Sequence, residues 1–202
     1  MSKTLIAMIL LVPLLFAGTL LTTEPPPPDA DLPHAFLVDR TFEGADRCKT
    51  CHRKPEDGEQ YPKWQEGPHA KAYETLAGDE AKAIAAERGI ENPQTADECL
   101  QCHVTGHGVA PELLGDKYQI TDGVGCESCH GAGGDYYKKK DMTAIFKGEV
   151  DGASLGLVIP TEETCVGCHN DKSPTFKGFN FEEASQKIAH PIPDAKKAEY
   201  DQ

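Results

Sequence analysis

All eight cysteines of this chain occur in pairs, and each pair is followed directly by a histidine. Two residues separate the cysteines of a pair, so the sequence contains four C-x-x-C-H motifs and no spare cysteine. The cysteines are Cys48, Cys51, Cys99, Cys102, Cys126, Cys129, Cys165 and Cys168, and the adjacent histidines are His52, His103, His130 and His169. Thiols and imidazoles at this spacing form disulfides, bind metal ions or attach a tetrapyrrole.

Three interpretations of the cysteines leave these histidines without a role. A disulfide framework explains an even cysteine count in an exported chain. Two tetrahedral zinc sites would use all eight thiolates. A thioredoxin-like redox pair normally occurs once, beside a βαβ pattern, and no such pattern is apparent here. None of the three explains why a histidine follows every pair.

Covalent attachment of c-type haem gives a role to every residue of the motif. The two thiols add to the haem vinyl groups as thioethers, and the adjacent histidine supplies the proximal nitrogen to iron. One turn of helix places both sulfurs on the same side. We therefore predict four covalently attached c-type haems, with the eight cysteines as attachment residues and His52, His103, His130 and His169 as proximal ligands.

Four further histidines give the chain enough imidazoles for a second axial ligand on every iron: His34, His69, His107 and His190. His107 follows His103 by only four residues. It is too close to bind the opposite side of the same haem, so as a ligand it has to serve another one. His34 lies just after a run of prolines, and we expect either a ligand or a surface residue there.

We expect His69 and His190 to lie at helix ends. Gly67 and Pro68 should open a helix and place His69 in its first turn, where it can reach a neighbouring haem. The alternative is a surface histidine. The stretch NFEEASQKIAHPIP predicts a helix with Asn180 as N-cap, completed by a capping box to Glu183. His190 closes this stretch, either as a ligand or as a solvent-facing residue favoured by the helix dipole.

Short helices are also predicted at the attachment sites. Thr95 with Glu98 three residues later forms a capping-box pattern ahead of the second motif. Thr161 is the expected N-cap ahead of the fourth motif. Residues 70–89 read as helical, with an interruption near Gly78 and an end at Gly89. The only strand signal is the stretch KYQITDG, residues 117–123. The predicted fold is mainly α with long loops, wrapped around four closely packed haems.

The N-terminus has the composition of an export segment. Lys3 precedes an almost wholly apolar run over residues 5–21, followed by four prolines at 25–28. The run exceeds a typical signal core and is at the short limit of a membrane span, and no clean A-x-A site follows it. We assign residues 1–23 to a signal peptide or N-terminal membrane anchor, 24–33 to a proline-rich tether and 34–202 to one tetrahaem domain. The protein is then periplasmic or otherwise extracytoplasmic.

Composition narrows the partners and the core. A net charge of −13 and a pI of about 5.0 argue against nucleic acid, whose phosphates need basic surfaces. Redox donors and acceptors with basic docking surfaces suit this charge. Aromatic residues make up 7% of the chain and the mean hydropathy is −0.48, which predicts a thin side-chain core. Four porphyrins would supply much of the missing apolar interior.

The chain resembles the cytochrome c-554 family of multihaem cytochromes. The resemblance rests on CKTCH followed by KWQEGPHAKA, on CLQCHVTGHG and on GVGCESCHGAGG, within residues 44–192. It implies a mainly helical fold, haems packed in stacked and perpendicular pairs, and electron transfer in the periplasm. It also implies distal ligands at His69 and at His190.

The sequence departs from the family after the third motif. Family members often have a ligand histidine there, whereas GAGGDYYKKKDMTAIF contains none. The resemblance then leaves four candidates for the second ligand of the third haem: His107, His34, a non-histidine group, or no ligand. Family members also leave the haem of the second motif five-coordinate, which makes His103 the first candidate for an open site.

Three functions agree with these residues. An electron carrier with mostly bis-histidine haems is the preferred one, because it needs no acid-base apparatus. The second is a small reductase acting on a nitrogen oxide or peroxide at a five-coordinate haem, with Tyr136 and Tyr137 either as proton donors or packed against a porphyrin. The third is a subunit of a haem filament or of a membrane redox complex.

Overall fold

The computed structural model describes residues 40–198 of the chain. The predicted export segment, the proline-rich tether and His34 lie outside these residues. The described α-helices are α1 (Ala45–His52), α2 (Gln60–Glu66), α3 (Ala72–Thr75), α4 (Asp79–Glu87), α5 (Asp97–His103), α6 (Cys126–His130), α7 (Lys139–Phe146), α8 (Glu162–Val166), α9 (Phe181–Ile188) and α10 (Asp194–Ala198). Short 3-10 turns join them at Pro55–Asp57, His69–Lys71, Pro111–Leu113, Ile120–Asp122, Gly133–Asp135 and Gly152–Leu155. Within residues 40–198, no helix is both long enough and apolar enough to cross a bilayer.

The mainly helical fold class predicted from the sequence is confirmed. Between residues 40 and 198 the β-pairing consists of one isolated bridge, between Phe42 and Leu114. The predicted strand over residues 117–123 is wrong, because this stretch contains the 3-10 turn Ile120–Asp122. Asp122 donates its N–H to the carbonyl of Gln119, and Gly123 donates to Ile120. These local hydrogen bonds use backbone groups that a strand ladder would need.

The N-caps of two predicted helices are confirmed. Asn180 precedes α9, and its Oδ1 accepts a hydrogen bond from the backbone N–H of Glu183 at 3.1 Å. Thr161 precedes α8, and its N–H donates to the Thr164 hydroxyl at 3.1 Å. Both contacts lie within one helical turn, which explains why the local sequence was sufficient to predict them.

The predicted cap at Thr95 is wrong. Helix α5 begins at Asp97 with Ala96 as its N-cap. Thr95 belongs instead to a turn that starts at Asn92, and both its N–H and its hydroxyl donate to the Asn92 carbonyl. The Asn92 side chain also accepts a hydrogen bond from the N–H of Gln94. This turn at Asn92 uses the Thr95 hydroxyl, which is therefore not available to cap α5.

Glycines set both limits of α4, as predicted. Gly78 has an extended backbone and precedes the helix, separating it from α3. Gly89 follows the helix with a φ of +72°, in the left-handed region that favours glycine. The two glycines therefore divide the predicted helical stretch into separate short helices.

The polypeptide has a thin core of its own. The buried apolar residues are Phe42, Ala45, Tyr61, Leu76, Ala85, Leu100, Val104, Ala132 and Tyr136. Leu76, Leu100 and Val104 form one cluster, to which Tyr73 and Ala81 add partly buried side chains.

Five of the described α-helices have no buried residue, namely α3, α7, α8, α9 and α10. Helix α9 nevertheless has a clear apolar face formed by Phe181, Ala184 and Ile188, and Ile188 is 39% exposed. An amphipathic helix normally buries such a face. Helix α9 therefore presents apolar surface that the described polypeptide does not cover.

Candidate haem-binding site

Short helices carry the four motifs. The first motif lies at the end of α1, the second at the end of α5, the third forms α6, and the fourth begins in α8. All eight cysteines are free thiols, so no disulfide occupies them. Helical spacing places the two sulfurs of a motif one turn apart, with the histidine directly after the second sulfur. This geometry suits a double thioether attachment.

Hydrogen bonds at Nδ1 prepare several histidines for metal binding through Nε2. The Nδ1 atom lies 2.7 Å from the Ala72 carbonyl oxygen in His103, 3.1 Å from that of Val158 in His130, and 2.8 Å from that of Ile188 in His190. A carbonyl oxygen only accepts, so each Nδ1 has to hold the proton. The lone pair is then on Nε2, the atom available to a metal.

The first motif uses a side chain for the same purpose. The Nδ1 atom of His52 lies 3.3 Å from the Gln60 Oε1 atom. Gln60 is also bonded to the Asp57 carbonyl through its Nε2, which orients the amide so that Oε1 faces the imidazole. No pattern in the sequence predicted this contact.

Two pairs of histidine rings face each other at a separation suited to one metal ion. The ring centres of His69 and His169 are 5.9 Å apart, and those of His130 and His190 are 6.0 Å apart. A metal–nitrogen bond of about 2 Å on each side, plus about 1 Å from nitrogen to ring centre, requires roughly 6 Å. The residues present therefore fit a haem iron with two axial imidazoles, the porphyrin supplying the remaining four nitrogens.

Burial favours the neutral form of these histidines. Burial, and then the neighbouring His169, lowers the pKa of His69. Burial is also the main cause that lowers the pKa of His130, and it outweighs the opposing hydrogen bond to Val158. A neutral imidazole is the form that binds a metal. Within residues 40–198 no group of three or more His, Cys, Asp or Glu side chains is arranged around a common metal position.

The structure brings a different residue to the third motif from those expected. The family comparison left His107, His34, a non-histidine group or nothing for that position, whereas His190 faces His130. The Nε2 atom of His107 lies 3.3 Å from an Asp97 carboxylate oxygen. In the part of the chain that the structure describes, no ring contact joins His52, His103 or His107 to another histidine.

Phe179 supports the fourth motif. Its ring stacks on the His169 imidazole, with centres 4.8 Å apart and planes inclined by 17°. The stack fixes the plane of the His169 imidazole. Sequence reasoning missed Phe179, because its contact depends on the path of the loop between α8 and α9.

Contacts between cysteines show which motifs are neighbours. Cys48 and Cys126 form a hydrogen bond that raises the pKa of Cys48 and lowers that of Cys126. This joins the first motif to the third.

A second contact joins the second motif to the fourth. Cys102 bonds to Cys168, and this bond lowers the pKa of Cys102 to about 7. Burial, followed by the nearby Cys165, raises the pKa of Cys129 to about 11 and marks the third and fourth motifs as neighbours. The third motif also adjoins the second, because the hydroxyl of Thr105, two residues after His103, lies 2.7 Å from the Ser128 hydroxyl inside the third motif.

A buried carboxylate organises the third motif. Glu127 is 5% exposed, and it accepts backbone hydrogen bonds from Glu43 at 2.8 Å, Gly44 at 2.8 Å and Gly133 at 2.7 Å. Burial raises the pKa of Glu127, although the three N–H donors act in the opposite direction. The carboxylate holds the segment before α1 and the turn after α6 against the motif.

The Tyr136 hydroxyl is already engaged in hydrogen bonds. It donates towards the carbonyl oxygens of His130 at 3.0 Å and Gly131 at 2.8 Å, and burial raises its pKa. The neighbouring Tyr137 ring lies 5.2 Å below the guanidinium carbon of Arg47. The geometry of Tyr136 is that of a residue that fixes the loop after the third motif.

Two comparisons with known proteins match the sequence of this chain. The sequence model of the family described as cytochrome c554 and c-prime matches residues 47–131, which contain the first three motifs. The chain is 33% identical over 157 residues to cytochrome c-554 of Nitrosomonas europaea. The aligned region covers 71% of this chain and 64% of the relative, so the chain spans less than two thirds of the relative's length. No solved structure matches the chain.

The C-x-x-C-H motifs and these matches are those of a c-type cytochrome, a class in which thioethers hold haem covalently. The predicted resemblance is confirmed, because residues 47–131 match the sequence model of the cytochrome c554 and c-prime family.

Proposed function

We propose that this chain is a periplasmic tetrahaem cytochrome that transfers electrons between redox partners. The observation that best supports the proposal is the pairing of His69 with His169 and of His130 with His190. Bound haem iron supplies one-electron redox chemistry. Two imidazoles per iron close both axial positions, so these histidines hold the metal for electron exchange and exclude a substrate from it.

The contacts between the motifs support a route for electrons through the molecule. The contacts of Cys48 with Cys126 and of Cys102 with Cys168 bring neighbouring attachment points together. The third motif adjoins the first, the second and the fourth. We propose that electrons pass between the haems through the third motif and that partners exchange them at the outer motifs.

The remaining ligands and the location are part of the same proposal. All four attachment histidines serve as proximal ligands, and His107 and His34 are candidate second ligands for His52 and His103. The Asp97 contact of His107 would have to open for this role. Residues 1–23 act as a signal peptide or retained membrane anchor, and residues 24–33 as a tether. Because this chain has a net charge of −13, most of its surface suits partners with basic docking surfaces.

One observation favours a second function. His103 has its Nδ1 bonded to Ala72, yet no other imidazole of residues 40–198 contacts it. If His34 and His107 also leave it unpaired, the second motif holds an open iron position, as a reductase of a nitrogen oxide or peroxide requires. The Tyr136 hydroxyl is committed to two carbonyls, so it is a poor candidate for the proton donor.

Low-temperature EPR of the oxidised holoprotein tests both functions. Mass spectrometry and a haem assay should first show four covalent haems per chain. The carrier predicts low-spin ferric signals from bis-histidine haems, including those of the third and fourth motifs. A high-spin signal that shifts on adding cyanide or nitric oxide would favour the reductase. A colourless protein containing zinc or disulfides would contradict the whole proposal.

A further inference from the structure

A basic depression lies beside the first motif of this acidic protein. It has a volume of about 400 Å³ and is lined by Asp46, Lys49, Thr50, Arg53 and Lys117. Three of these residues are cations and one is an acid, whereas the whole chain has a net charge of −13. We propose that this basic depression docks the acidic face of a redox protein partner. This inference rests on the electron-transfer function proposed above.

The position of the depression relative to the motif is what makes it useful for electron exchange. Lys49 and Thr50 are the two residues between the cysteines of the first motif, and Arg53 follows its histidine. The lining is therefore continuous with the attachment site itself. Lys49, Thr50 and Arg53 project from the side of α1 away from Cys48 and Cys51, so a partner seated on them would be separated from a tetrapyrrole attached there by the thickness of this one helix.

The cations of the depression are available to a partner. Arg53 and Lys117 are exposed and form no ion pair within residues 40–198, whereas Arg40 pairs with Asp135 and Arg47 with both Glu43 and Asp116.

The Nζ atom of Lys49 lies 5.0 Å from the centre of the Tyr61 ring and 3.8 Å from an Asp46 carboxylate oxygen. The Tyr61 contact presents its ammonium group at a fixed place. Complementary charge at such a site steers association and sets the orientation of docking.

The segment of the second motif has the opposite charge. Residues before and within this motif include two cations, Lys82 and Arg88, against six acids: Asp79, Glu80, Glu87, Glu91, Asp97 and Glu98. An acidic partner is therefore attracted to the depression and repelled from this segment.

Stopped-flow oxidation of the reduced holoprotein tests the docking site with two probes of opposite charge. The probes are plastocyanin, an acidic copper protein, and the cationic complex cobalt(III) tris(phenanthroline). The docking variant combines Lys49→Gln, Arg53→Gln and Lys117→Gln. The control variant combines Lys82→Gln, Lys147→Gln and Lys187→Gln, three exposed lysines away from the depression. Both variants lose the same charge, so repulsion by the whole molecule changes equally, and haem content should match the wild type.

At low ionic strength we expect the docking variant to react with plastocyanin at least about 10-fold more slowly than the control variant. The difference should shrink in 0.5 M salt, because exposed charges are then screened over about 4 Å. With the cobalt complex the two variants should agree within about 2-fold. Equal rates of the two variants with plastocyanin would overturn the docking site while leaving electron transfer intact. A wild-type protein that exchanges electrons with neither probe would instead overturn the proposed function, and the docking site with it.

Discussion

The hydrogen bond at Nδ1 leaves Nε2 as the ring nitrogen of each histidine that can bind a metal. His103, His130 and His190 donate to backbone carbonyls, which no substitution at the acceptor removes. His52 depends on the Gln60 side chain instead. Outer partners of this kind orient a ligand and tune its basicity. The first motif is therefore the one of these sites whose acceptor can be changed by a point substitution.

The substitution His190→Ala tests the pairing at the third motif. We expect haem content to stay the same, because Cys126 and Cys129 still attach the haem. The iron at His130 should lose its second imidazole and give a new high-spin ferric signal in EPR. Ser185→Ala on the same helix is the control and should leave the spectrum unchanged. An unchanged low-spin spectrum in His190→Ala would show that another residue serves this position.

The substitution Tyr136→Phe tests the role of the buried hydroxyl. Removal of the hydroxyl leaves the Gly131 carbonyl without its donor, while the His130 carbonyl still accepts from the Val158 N–H, and this should lower the free energy of unfolding by about 1–3 kcal/mol. Tyr137→Phe keeps its ring beneath Arg47 and should change the free energy of unfolding by less than about 0.5 kcal/mol. Urea denaturation of the two holoproteins measures both values. Equal effects would mean that the hydroxyl of Tyr136 contributes nothing specific.

At the level of elements, the buried Glu127 carboxylate joins α6 to two other segments of the chain. Helix α1 packs against α2 and α6. The Glu127 carboxylate then ties the entrance of α1 and the turn after α6 together through three backbone N–H groups. A five-residue helix has little stability alone, so tertiary contacts of this kind have to fix it.

Glu127→Ala should therefore be among the most destabilising single substitutions in the chain. It leaves three buried N–H groups without an acceptor, and we expect a loss of at least about 3 kcal/mol in the free energy of unfolding. Glu127→Gln keeps one acceptor oxygen and should lose less.

Glu163→Ala, an exposed glutamate on α8, is the control and should stay within about 0.5 kcal/mol of the wild type. Chemical denaturation monitored by circular dichroism provides the comparison. Similar losses in Glu127→Ala and Glu163→Ala would refute the role of the carboxylate.

At the scale of the whole molecule, the described polypeptide would depend on bound prosthetic groups for a complete interior. Its largest buried apolar cluster joins Leu76, Leu100 and Val104, and α7, α8 and α9 bury no residue against the described polypeptide. A domain with so little apolar burial is marginal without additional links. Covalent tetrapyrroles would cover the uncovered helix faces and join distant parts of the chain.

The same chain produced without haem attachment should therefore lack a cooperative unfolding transition. We expect residual helix in far-ultraviolet circular dichroism, but no calorimetric heat-absorption peak like that of the holoprotein. Both forms are measured in a reducing buffer, so that the free thiols of the haem-free chain do not form disulfides. A sharp calorimetric transition in the haem-free chain would show that the polypeptide core is sufficient.

The sequence by itself determined the features that depend on neighbours along the chain. Thioether attachment needs two thiols and an imidazole within one helical turn, so the C-x-x-C-H spacing identifies each site directly. The caps at Asn180 and Thr161 were predictable for the same reason. Thr95 was mispredicted because a second local signal, the turn at Asn92, competed for its side chain.

Only the tertiary structure decided which distant residues meet. His190 lies beside His130, Phe179 stacks on His169, and Thr105 brings the end of the second motif against the third. Each of these contacts depends on how long loops return across the molecule. Short-range spacing contains no information on that path, because many loop conformations are compatible with the same local helices. The motifs therefore identify the attachment residues, while the folded chain decides which histidines lie next to each other.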